Sequence, residues 1–226
     1  MNTHQKTARV VGVGMLLLIA LSIFVNLIYL GPIVFAADFL TNVAANANQV
    51  KISILLELFN GALSVGIAVL LLPIFIQHNK SMAYAYLGFS IFTFTIIAID
   101  IFSILSILSL SKEYVSAGSP DTEYFQTLGT LLYDNRWWSH YMTILVSCLP
   151  LFIFYLFLYQ IKLVPRFISI WGIAAVPLLL IAVLLAIFDQ DTYMGLMMPG
   201  GINQIFLGGW LIVKGFNSSA ITSTSV

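Results

Sequence analysis

Two carboxylates stand alone in long apolar runs: Glu57 within residues 52–76 and Asp100 within residues 82–110. A charge at bilayer depth costs about 2.5–3.5 kcal/mol on insertion scales, so such groups face a bundle interior or an aqueous cavity. Spacing gives Glu57 company, because Glu57, Asn60, Gly61, Ser64 and Ala68 fall at i, i+3, i+4, i+7 and i+11, one face of a helix. Thr93, Asp100 and Ser103 share a second face, His140, Thr143 and Ser147 a third, Gly201, Gln204 and Gly208 a fourth, and Ser22, Asn26 and Tyr29 a fifth. Counted from the helix ends at about 1.5 Å per residue, Asn26, Glu57, Asp100, His140 and Gln204 fall in one depth band of the outer leaflet. The candidate site is therefore an outward-opening polar pocket of Glu57, Asn60, Asp100, His140, Asn203 and Gln204. Two acids and an imidazole are the raw material of acid–base or metal-assisted chemistry. No spacing of the His-x-x-x-His kind is present, so no metal and no cofactor are implied, and no residue is assigned as catalytic.

A structural reading stands beside the chemical one. Small and polar residues on spanning helices commonly serve as packing and hydrogen-bond glue, which covers Asn60, Gly61, Ser64 and Gly208. Glu57 lies near enough to a helix end to reach interfacial water. His140 follows Trp137 and Trp138, the residue types of an interfacial aromatic belt. A protonated Asp100 bonded to a backbone carbonyl would need no function.

The elements that position these groups follow from composition. The chain is 60% hydrophobic and only 8% charged, with a mean hydropathy of +1.01. Soluble domains carry about 25% charged residues, so this surface is made for lipid. Zero net charge and the absence of a basic, aromatic-interleaved patch argue against nucleic acid. Cys148 is the single cysteine, which excludes an internal disulfide. Crossing a bilayer takes about 20 apolar residues. Residues 10–33, 52–76, 82–110, 139–161, 167–188 and 196–213 meet that need, and the fold expected is an all-α, polytopic bundle of six transmembrane helices. A length of 226 suits one such bundle, spanning 10–216 between a cytoplasmic N-terminus 1–9 and a disordered Ser/Thr-rich tail 217–226. The first run is too long for a signal-peptide core of about 7–15 residues and reads as an uncleaved helix.

Orientation follows from the cations. With both termini inside, cytoplasmic segments hold Lys6, Arg9, Lys80, Lys162, Arg166 and Lys214, against Lys51, Lys112 and Arg136 outside. Six against three obeys the positive-inside rule, giving an N-in/C-in topology. The outer loop 38–49 is rich in Asn and Ala, and the loop 111–138 has room for a short interfacial helix over 122–132.

Several segments in order resemble the domain-of-unknown-function family numbered 4386. They are Asp38-Phe-Leu-Thr-Asn-Val-Ala-Ala-Asn-Ala-Asn-Gln-Val50, Leu55-Leu-Glu-Leu58, Pro73-Ile-Phe-Ile-Gln-His-Asn79, Tyr124-Phe-Gln-Thr-Leu-Gly-Thr130, Leu163-Val-Pro-Arg-Phe-Ile-Ser-Ile-Trp-Gly172 and Trp210-Leu-Ile-Val-Lys-Gly-Phe-Asn217. The resemblance covers residues 8–221 and implies a multi-span bacterial membrane protein without an assigned reaction. It also marks departures. Where relatives often carry Gly-Phe-Arg-x-x-Glu, this chain has Gly88-Phe-Ser-Ile-Phe-Thr93, and where they often carry Asn-Glu it has Asn203-Gln204. The resemblance thus implies that Ser90, Thr93 and Gln204 stand as neutral, mutually hydrogen-bonded replacements of family charges.

Three functions remain open on this reading. The first is a non-enzymatic protein of the cytoplasmic (inner) membrane, in contact with membrane lipid, that holds a lipid, a small apolar ligand or a partner helix within its bundle. The second is an intramembrane hydrolase using Glu57, Asp100 and His140; the third is a proton-linked carrier in which Asp100 titrates. Neither the ligand nor the oligomeric state is written in the sequence.

Overall fold

Apolar runs surrounded by lipid must satisfy every backbone N–H and C=O internally, and the helix is the local way to do so. The computed structural model describes residues 3–119, 123–191 and 194–217, and among these the chain is helical with no strand. Helix α1 (Thr3–Ile23) passes into a π-helical turn (Phe24–Tyr29), followed by the short α2 (Gly31–Val34) and α3 (Phe39–Ala45). Four long helices come next: α4 (Ala47–His78), α5 (Lys80–Ser116), α6 (Glu123–Ile161) and α7 (Arg166–Ile187). A 3₁₀ turn (Met194–Leu196) leads into α8 (Met198–Val213).

Among the described residues five stretches are long and apolar enough to cross a membrane: His4–Val34 and the whole of α4, α5, α6 and α7. Large apolar side chains such as Leu55 (64% exposed) and Phe102 (68%) point away from the protein. Exposed apolar surface on this scale is stable against acyl chains and not against water. The protein is a multi-pass membrane protein. At 16 residues, α8 is shorter than the roughly 20 residues that a hydrocarbon core requires.

The helices run further than hydropathy alone indicates. Polar residues do not stop a helix that keeps its hydrogen bonds, so α6 begins at Glu123, well before Ser139. The expected interfacial helix over 122–132 is instead the first turns of α6, with Thr122 outside the described residues. Likewise the Asn/Ala-rich loop is α3 and the start of α4, interrupted only at Asn46. Prolines 73, 150 and 177 lie inside helices. Asn79 forms the whole break between α4 and α5, and its side chain accepts the Met82 N–H at 3.0 Å as an N-cap. Of the proposed tail, residues 218–226 lie outside those described.

The chain divides into two compact units. The first comprises Met1–Ile19, Ala62–Phe94 and Ile144–Val226; the second comprises Ala20–Gly61 and Thr95–Thr143. Phe75, Tyr155, Phe157, Leu158, Leu207 and Leu211 centre the core of the first unit. Two close approaches tighten it. A Cβ on Gly12 of α1 would stand 2.7 Å from the Gly208 carbonyl oxygen of α8, and one on Gly172 of α7 would overlap the buried Tyr155 ring of α6. The second unit packs Val25, Val43, Val50 and Ile54 against Ile101, Ile104, Ile107 and Leu108.

Candidate functional site

In the second unit, α6 turns Arg136 inward. Its side chain is 7% exposed, and Nη1 lies 3.0 Å from Oδ1 of Asp100, itself 4% exposed. Ser139, one turn on, donates its hydroxyl to the same carboxylate oxygen. Arg136 Nη2 donates to Oδ1 of Asn26 at 3.3 Å. Asn26 sits in the π-helical turn, whose widened coil is bounded by the Leu30 N–H to Val25 carbonyl bond of 2.8 Å and by Gln49 Nε2 donating to the Tyr29 carbonyl at 2.7 Å. Such turns are uncommon and recur where a side chain has to be re-aimed.

Glu57 of α4 joins the same network. It lies beside the Asn26 amide and within electrostatic reach of both Arg136 and Asp100. His140, four residues after Arg136 on α6, feels the guanidinium too. Next to the pair, Asn135 Nδ2 donates to Ser103 Oγ at 3.0 Å and ties α6 to α5. One guanidinium therefore organises two acids, an amide and a hydroxyl in a region of low dielectric. Bare charges there would be expensive, and mutual pairing offsets that cost, while Arg136 Nε stays buried without a hydrogen-bond partner among the described residues.

Arg136 is the residue that sequence reasoning missed. Flanked by Asp134, Asn135, Trp137 and Trp138, it reads as a loop cation. The signal was available: Arg136, Ser139, His140 and Thr143 fall at i, i+3, i+4 and i+7, so the polar face of α6 extends one turn earlier than residue 140. Asp100 accordingly has a cationic partner, where a backbone carbonyl was the alternative.

The six residues of the expected pocket fall in both units. Glu57, Asn60, Asp100 and His140 belong to the second, while Asn203 and Gln204 belong to the first. Asn60 Oδ1 is buried without a hydrogen-bond partner among the described residues. Asn203 is fully buried, and its Nδ2 donates to the Ile168 carbonyl at 3.0 Å, fixing α8 to α7. Among the described residues no three His, Cys, Asp or Glu side chains are grouped to hold a metal ion.

A different site is built in the first unit. A cavity of about 210 Å³ has Ser64, Tyr86, Ser90, Thr93, Ser147 and Gln204 as its polar lining. The rest is apolar, with Met15 and Leu18 of α1, Ile67 of α4, and Leu151 and Phe154 of α6 among the walls. None of the lining residues carries a charge. Ser90, Thr93 and Gln204, expected from the resemblance to form a neutral hydrogen-bonded set, share one cavity. They are not bonded to one another. Ser90 donates to the Tyr86 carbonyl at 2.8 Å, Thr93 to the Phe89 carbonyl at 2.9 Å and Ser147 to the Ile144 carbonyl at 2.7 Å. A hydroxyl on a spanning helix finds its nearest acceptor one turn back, which spends the proton and leaves the oxygen lone pairs available. Gln204 makes no hydrogen bond to another described residue.

The comparisons with known proteins agree with the segment resemblance. The chain belongs to the family described as Domain of unknown function (DUF4386), whose model matches residues 10–215. Comparison with curated proteins and with solved structures finds no match.

Proposed function

We propose that this is a non-enzymatic protein of the cytoplasmic membrane, crossing six times with both termini inside, that holds a small apolar-bodied ligand in its first unit. The observation carrying this reading is the 210 Å³ cavity, mostly apolar and edged by uncharged polar groups. That chemistry suits a ligand with a hydrocarbon body and one neutral polar group. Size narrows the class. Sites for drug-sized ligands measure about 300–1,000 Å³, whereas an apolar cavity of about 150 Å³ holds benzene. A ring-sized molecule or the end of an acyl chain fits this space, and a whole lipid does not.

The topology draws support from the buried position of Arg136. With that cation withdrawn from the outer loop, Lys51 and Lys112 are left against six inside, which strengthens the asymmetry on which orientation depends. In this reading span six is α8 together with the Met194–Leu196 turn that leads into it.

The enzyme and carrier readings draw less support. The Asp100 carboxylate is engaged by Arg136 and Ser139, which suits a fixed counter-ion better than a general base or a titrating group. The ligand reading is tested by extracting purified protein with organic solvent and identifying released small molecules by mass spectrometry. One molecule should be recovered from the natural protein and lost from Ser147→Phe, which fills the cavity; equal recovery from both would reject the reading.

A further inference from the structure

At the ends of α6, α7 and α8, and apart from the cavity above, the first unit has a second hollow of about 490 Å³. Lys162, Arg166 and Lys214 all line it, with Trp210 and Asn217, and no acid does. Three like charges around one concavity add their potentials and favour a counter-anion there. Among the described residues none of the three forms a salt bridge with an acid.

The backbone points the same way. Lys162 and Gly215 both adopt positive φ, 59° and 74°, so that two chain reversals bring their residues to the rim. The Asn217 N–H bonds the Leu163 carbonyl at 2.8 Å and closes one reversal on the other. Between them α7 starts at Arg166, and no side chain caps its first amides. An uncapped helix N-terminus carries partial positive charge and free N–H groups, which favour an anion. The Arg166 guanidinium is steadied over the Tyr159 ring, 5.6 Å from its centroid. Beside the hollow, Phe167 and Val213 are 54% and 72% exposed, which gives an acyl chain apolar surface to lie along. Trp210 is the residue type that marks the headgroup level of a bilayer.

We infer that the Lys162–Arg166–Lys214 hollow binds the phosphate of an anionic membrane phospholipid, its chains running along the flanking apolar surface. The cations supply charge, the α7 amides supply hydrogen bonds, and the exposed Phe167 and Val213 distinguish a lipid from free phosphate. Basic hollows at the ends of spanning helices are suited to anionic headgroups in this way.

The test uses the full chain in neutral detergent, with native mass spectrometry of retained lipid. Phosphatidylglycerol should be retained over phosphatidylcholine by at least about tenfold, since each basic residue adds to the attraction. The Lys162→Gln/Arg166→Gln/Lys214→Gln variant should lose that preference while keeping its helical circular dichroism. Should the triple variant not fold, Arg166→Gln and Lys214→Gln singly should each lower the preference. Equal retention of the two lipids by the natural protein overturns the inference. Displacement of phosphatidylglycerol by millimolar inorganic phosphate also overturns it, in favour of a free-phosphate site.

Discussion

Arg136 of α6 and Asp100 of α5 form a 3.0 Å ion pair that is almost wholly buried within the second unit. Removing either partner strands the other charge, which costs about 3–5 kcal/mol for buried pairs. Asp100→Asn and Arg136→Met should each lower the thermal midpoint in detergent markedly. The double variant should lose less than the sum, because no lone charge remains. Additive losses would show that the two residues act independently.

The Asn26 side-chain carbonyl is the second acceptor for Arg136, and its Nδ2 donates to the Ser22 carbonyl at 3.2 Å. Hydrogen bonds to charged groups are worth about 1.5–3 kcal/mol, so Asn26→Ala should destabilise by an amount in that range. The loss should shrink sharply when measured in an Arg136→Met background. Thermal or denaturant unfolding of the four proteins in the cycle gives the coupling directly.

Glycines offer a contrast within one unit. Gly172 faces the Tyr155 ring with no room for a Cβ, whereas Gly66 on α4 has nothing within 4 Å of the place a Cβ would take. Overpacking typically costs about 1–3 kcal/mol, and Gly172→Ala should lie in that range or above it. Gly66→Ala should be neutral or stabilise by up to about 1 kcal/mol through helix propensity. Melting temperatures that move together would contradict the packing described at Tyr155.

Topology is open to a direct measurement. Single cysteines placed in a Cys148→Ala background at Lys80 and Lys162 should resist a membrane-impermeant maleimide in whole cells, and one at Lys112 should react. Labelling of position 162 from outside would reverse the orientation or change the number of crossings.

Much of this architecture was legible in the sequence because hydropathy and charge poverty act over whole segments. Lipid leaves a backbone few choices, so α4, α5 and α7 fall close to the apolar runs that announced them. The misses occur where local polarity competes with helix continuity. Residues 38–49 and 123–138 are polar enough to suggest loops, yet they form α3, the first turn of α4 and the first turns of α6. Glu57 and Asp100 stood out as acids in apolar runs. Their organiser did not, because Arg136 lies among polar and aromatic neighbours that mimic an interface. Periodicity grouped side chains by face within a helix but could not tell which faces meet, so Gln204 was placed with the acids when it lines a cavity with Ser90, Thr93 and Ser147.

The most direct test of the ligand-holding account is photolabelling of the membrane-embedded protein with a ring-sized, diazirine-bearing hydrocarbon, followed by peptide mapping. Labels should concentrate on residues 147–154 of α6 and on Met15 and Leu18, and Ser147→Phe should abolish that cluster while leaving surface labelling intact. Labels spread evenly over lipid-facing positions such as Leu55 and Phe102, with no change in Ser147→Phe, would contradict the account.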